Sequence, residues 1–192
     1  MTLTHADLYS LEHYARVRPE FRAKVMAHKK DRRVALGPNA TLYFEDRLTM
    51  QYQVQEMLRL ERMFEPELIQ DELDVYNALI PDGSNWKATF MIEFPDPEER
   101  KRQLAKLIGI EKAVWVQVAD FARVTPIANE DLDRETEDKT SSVHFLRFEL
   151  TAPMIAALKG GAALTMGIDH PAYQASVTPP AVVRESLIAD LS

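Results

Sequence analysis

The stretch Arg33-Val34-Ala35-Leu36-Gly37-Pro38-Asn39-Ala40-Thr41-Leu42-Tyr43-Phe44-Glu45 holds two strand-forming runs on either side of a Gly-Pro-Asn-Ala turn. That pattern predicts a hairpin, and with it an antiparallel pairing. On its N-terminal side, residues 10–30 have helical spacing, with Tyr14, Val17, Phe21, Val25 and His28 on one face. Pro19 lies inside that segment, and an interior proline removes a helical hydrogen bond, so two helices or one kinked helix are expected. On its C-terminal side, residues 47–64 read as a helix. Pro66 then opens another as an N1 proline, and Pro81-Asp82-Gly83 closes it.

Further on, residues 87–94 alternate as a strand. Asp96-Pro97-Glu98-Glu99 carries an Asp N-cap and a proline at N1, starting a helix that stops at Gly109. Val114, Val116 and Val118 mark a strand of high β propensity. Residues 120–140 form a polar, acidic loop of unusual length. Residues 143–151 alternate again, and Gly160-Gly161 ends a short helix that follows them. Two strand-like pieces flank Asp169-His170-Pro171, and Pro179-Pro180 leads into a C-terminal helix, 181–191, with Val183, Leu187 and Leu191 inward. This order does not repeat as βαβ units. It predicts a single α+β domain with a mostly antiparallel sheet and helices packed on one face, leaving the other face or an edge for a partner.

Composition narrows the chemistry. The chain has 192 residues, 30 Asp+Glu against 23 Lys+Arg, a net charge of −7 and no cysteine. Disulfides, thiolate metal sites and cysteine nucleophiles are therefore excluded. No apolar run approaches the roughly 20 residues of a membrane span, and no secretory signal opens the chain, so a cytoplasmic protein is expected. The charge is uneven. Within the basic helical segment 5–32 and the strand after it, residues 1–35 carry eight Lys/Arg against four acids, which leaves −11 on the other 157 residues. The overall acidity weighs against nucleic acid as the main partner, and pairing of the basic segment with an acidic surface, either the chain's own loop 130–138 or a partner protein, is the expected use. A homodimer through an uncovered sheet face is a further expectation.

Motifs for phosphate loops, dinucleotide folds, serine hydrolases and zincins are all missing. Two residues stand out. At 100° per residue, Met50, Val54, Met57, Leu58 and Phe64 make an apolar stripe with Glu61 in its middle. Alternation in 143–151 likewise puts His144 on the more apolar face, with Leu146, Phe148 and Leu150. One reading has Glu56, Glu61 and His144 converging on a divalent metal, with Glu93 as a fourth ligand; such N/O ligation suits iron, manganese or zinc. The other has Glu61 and His144 as buried polar groups paired with Arg147, Arg47 or each other. The ion-pair reading is preferred, because no Glu-x-x-His spacing supports the metal.

Three stretches also carry a family likeness: His28 to Pro38, Phe44 to Arg59 and Glu137 to Phe148. Together they resemble the bacterial family known as domain of unknown function 3501, and the likeness runs over nearly the whole chain. The resemblance supplies no catalytic residues. It implies genes set beside those of a rubrerythrin-like di-iron protein and an iron–sulfur protein similar to an anaerobic dehydrogenase subunit. The expected function is therefore an accessory or interaction protein of a redox or oxidative-stress system, with a protein partner and no catalysis of its own. The alternative is a metal-binding enzyme using Glu56, Glu61 and His144. Without cysteine, any redox metal in this chain must rest on carboxylate and imidazole.

Overall fold

The computed structural model describes residues 2–134, 136 and 138–192; Glu135 and Glu137 of the acidic loop lie outside the described residues. After a short 3-10 turn, helix α1 (Leu11–Lys30) leads into β1 (Arg33–Ala35) and β2 (Ala40–Glu45). Helices α2 (Arg47–Glu61) and α3 (Pro66–Asn77) follow, then β3 (Asn85–Ile92), α4 (Pro97–Lys106), β4 (Val114–Val118) and β5 (Ile127–Ala128). The chain ends with β6 (Val143–Glu149), α5 (Ala152–Lys159), β7 (Leu164–His170), β8 (Tyr173–Val177) and α6 (Ala181–Ile188).

The protein is α+β, with every named strand pair antiparallel. The strands form two sheets, ordered β1-β2-β3-β6-β5 and β4-β7-β8. Strict alternation divides the larger sheet. Its inner face carries Leu42 and Phe44, Trp86, Ala88 and Phe90, and Leu146 and Phe148, all buried in one core with Val114, Val116, Met166 and Ile168 of the smaller sheet. Leu104 of α4, Leu158 of α5 and Leu187 of α6 complete that core. The sheet face expected to be open to a partner is thus closed by a second sheet. Pairing of β4 with β7 joins strands some fifty residues apart, which local pattern does not reveal.

Helices α1–α3 stand over the outer face and have cores of their own. Tyr14, Phe21 and Val25 of α1 pack with Tyr52 of α2. Met50, Val54 and Leu58 of α2 pack with Leu73 and Ile80. Pro19 sits within one continuous helix rather than between two. In α2 the expected stripe ends early. Arg62 takes a left-handed conformation (φ 53°) and stops the helix at Glu61, so Phe64 leaves the helical face and is exposed. Glu61, placed in the middle of an apolar stripe by the spacing, is exposed at the helix end. Gln55 of α2 is buried. The N-terminal segment covers it, and the backbone N–H of Tyr9 donates to its Oε1 at 2.6 Å.

Candidate functional site

A cleft separates the helical layer from the outer sheet face. Antiparallel register sets Tyr43, Thr89 and Phe145 side by side on three adjacent strands, and these form the sheet wall with Met91. Met26 of α1, Met50 and Gln53 of α2, and Tyr76 and Leu79 face them from the helical side. The cavity holds about 510 Å³, within the range of a small-molecule site. An adjoining lobe of about 540 Å³ shares Tyr76, Leu79 and Phe145 and reaches Lys87, Glu130 and Arg147. Thioethers and rings make the wall apolar and adaptable.

Charge is placed at two levels. Lys29, Lys30 and Arg33 border the cleft from the end of α1 and the start of β1, and Arg33 leans over the Tyr43 ring at 5.8 Å. Glu45, the last residue of β2, also borders the cleft but is only 7% exposed. Thr89 Oγ1 donates to its Oε1 at 2.8 Å, and Thr49 Oγ1 donates to its Oε2 at 2.6 Å. Among the described residues no ion pair reaches this carboxylate. Lys87, opposite Glu45 in the register, donates to the Ala78 carbonyl at 2.7 Å instead. Burial pushes the Lys87 ammonium below its usual range.

The four residues expected to gather around a metal do not meet. Glu56 lies between α1 and α2, where Arg18 donates to both its oxygens at 2.7 and 2.9 Å and Tyr14 donates at 2.7 Å. Those bonds hold the Glu56 carboxyl down at about 2, the Arg18 hydrogen bond contributing most. Glu61 is exposed at the end of α2, and Glu93, also exposed, accepts from Thr41 Oγ1 at 3.2 Å. His144 is fully buried on the inner face of β6, the side away from α2. Its Nε2 lies 3.0 Å from both Thr140 Oγ1 and the Ser141 carbonyl, and its Nδ1 lies 3.0 Å from the Asn129 amide nitrogen. Among the described residues no three His, Asp or Glu are placed to share a metal ion.

The ion-pair partners also differ from those expected. Arg147 holds Glu130 and Glu149, and Arg47 holds Asp7, so neither serves Glu61 or His144. Glu130 and Asp131 of the acidic loop pair with Arg147 and Arg134 rather than with the basic helix.

A second buried cluster ties the chain ends together. Arg32, 2% exposed, donates to the carbonyls of Phe44 and Glu45 and to Asp190 Oδ2 at 2.5 Å, and stands 3.4 Å from Asp46. Burial opposes ionisation of Asp46, but Arg32, the Thr49 N–H and His28 outweigh it and hold the carboxyl low. At Asp190 burial wins and the carboxyl is raised. Asp46 and Asp190 of this cluster line a hollow with Arg47, Ile80 and Pro81.

Sequence reasoning passed over Glu45, the residue that most marks the cleft. Its signal was alternation: β2 places Glu45 on the same face as Tyr43, away from Leu42 and Phe44. Among the described residues, no helix is long and apolar enough to cross a membrane.

A comparison with curated proteins gives no match. A solved structure from Burkholderia pseudomallei, described as a novel protein of unknown function, is 50% identical over 100% of both chains, with a TM-score of 0.95. The family model described as protein of unknown function (DUF3501) matches residues 2–191. That span takes in α1 through α6, cleft included, and the chain belongs to this family.

Proposed function

We propose that this protein is an accessory protein, without catalysis of its own, that holds a small anionic, partly apolar ligand in the cleft between α1–α3 and the outer sheet face. The observation that carries this reading is the make-up of the cleft: an apolar cavity of about 510 Å³ bordered by Lys29, Lys30 and Arg33. Burying a ligand's apolar body against Met26, Met50, Met91 and Phe145 supplies affinity, and the three cations set the sign of its charge. The redox or peroxide-defence setting implied by the family resemblance enters as the system the loaded protein serves. Co-purification from the native host tests that part, and an absence of redox proteins among the co-eluting species argues against it.

The cleft itself is tested with 8-anilinonaphthalene-1-sulfonate, an apolar anion whose fluorescence reports burial. Saturable binding at one site is expected, weakened roughly tenfold or more by the Lys30→Glu/Arg33→Glu pair, equivalent to about 1.4 kcal/mol. Dye binding that ignores the pair, or no saturable binding, overturns the reading.

A further inference from the structure

Glu45 gives the ligand a more definite chemistry. The residue is 7% exposed and borders the cleft, and among the described residues its carboxylate is met by the hydroxyls of Thr49 and Thr89. An ionised carboxylate has about four acceptor positions. One hydroxyl on each oxygen leaves a second acceptor position on each. A ligand presenting two adjacent N–H donors would meet both. Burial makes that match matter, because a carboxylate out of water with unfilled acceptor positions is costly.

Ligand edges with such paired donors include a guanidinium cation and the neutral N–H and amino group of a 2-amino-4-oxopyrimidine ring. Charge decides between them. Lys29, Lys30 and Arg33 outnumber Glu45 in the lining, so a cationic ligand is repelled and a neutral ring with an anionic arm is favoured. The walls agree, since Tyr43, Tyr76 and Phe145 offer ring faces for a flat heterocycle. Gln53 adds an amide that can donate to the ring's carbonyl oxygen.

We infer that the cleft binds a 2-amino-4-oxopyrimidine ring, the edge common to guanine and the pterins, with Glu45 accepting from its N–H and amino groups and Lys29, Lys30 and Arg33 taking a phosphate or carboxylate arm. This rests on the reading of the cleft as a ligand site. Displacement of bound 8-anilinonaphthalene-1-sulfonate tests it on the full chain. GMP is compared with IMP, which lacks the amino group, and pterin-6-carboxylate with lumazine-6-carboxylate, which lacks it too.

The amino-bearing member of one pair is expected to displace the dye roughly ten- to a hundredfold more tightly than its partner, the scale of one hydrogen bond to a buried charge. Preference for GMP assigns the guanine source, and preference for the pterin assigns the other. Glu45→Gln, which keeps a carbonyl for one threonine hydroxyl and turns an amide N–H to the other, should erase the preference within each pair. If the dye binds and responds to Lys30→Glu/Arg33→Glu, but neither amino compound displaces it better than its partner, the inference fails and the anion site stands. A preference that survives in Glu45→Gln also overturns it. A dye that fails to bind removes the site and the inference together.

Discussion

At the scale of single residues, Glu56 shows how an apparent ligand candidate becomes a structural anchor. Its carboxylate receives a forked pair of bonds from Arg18 and a third from Tyr14, so α1 is fastened to α2 through one side chain. The bonds need the ionised form, which is why the carboxyl falls from an ordinary 4.5 to about 2. A folded-state value below the unfolded one means the stabilisation is complete above about 4.5 and is lost as pH drops through about 2. Glu56→Gln should therefore lower the urea midpoint at pH 7, and the gap from the parent protein should shrink by pH 2.5. A gap of constant size would assign the loss to packing rather than charge. Tyr14 reports the same contact: burial, and then the Glu56 carboxylate, raise its hydroxyl above the usual range. The sequence offers Glu56 only as a candidate metal ligand. It could not show that Arg18, thirty-eight residues earlier, would reach it.

At the scale of elements, local chemistry was the legible part. The hairpin 33–45, the Asp96 cap, whose Oδ1 accepts from the Glu99 N–H at 2.7 Å, and the alternating strands all lie within a few residues of their signals. The two-sheet arrangement was not legible, because it depends on which distant strands pair. The β4–β7–β8 sheet shows what those pairings demand. Gly167 lies directly opposite Trp115 in the register. A Cβ there would stand 2.4 Å from Trp115 Cζ2 and 2.5 Å from the Ala175 carbonyl oxygen. The indole is held between the sheet and Arg123, whose guanidinium sits 3.8 Å from the ring centroid. The carbonyl belongs to β8 and cannot retreat without loosening that strand. Gly167→Ala should thus lose about 1–3 kcal/mol in a denaturant titration, as overpacked cores do. An unchanged midpoint would mean that β8 yields freely. The helix α2 shows the opposite failure: a regular stripe was extended past a left-handed residue that ends it, and Glu61 was carried into a core it does not enter.

For the whole molecule, the question is what keeps a helical layer with its own cores in place over a sheet from which a cleft divides it. Arg32 answers much of it. The residue follows α1, binds the last carbonyls of β2, approaches the N-cap carboxylate of α2, and reaches Ser186 and Asp190 at the end of the chain. One guanidinium thus joins the helical layer, the large sheet and the C-terminal helix at the back of Glu45, and so fixes the floor of the cleft. Removing it leaves Asp190 buried among groups that no longer neutralise it. Breaking such a pair from one side costs about 3–5 kcal/mol, whereas removing both partners costs much less. Arg32→Met is therefore expected to lose that amount in urea unfolding, and Asp190→Asn added to it should recover part of the loss. The two changes must be non-additive, because the aspartate is stabilising only while the arginine faces it. Strict additivity would show that Arg32 acts through its backbone contacts to Phe44 and Glu45 alone. In that case Arg32→Met should weaken dye binding in the cleft even where Asp190→Asn leaves it unchanged, since the strand end that carries Glu45 would have lost its anchor.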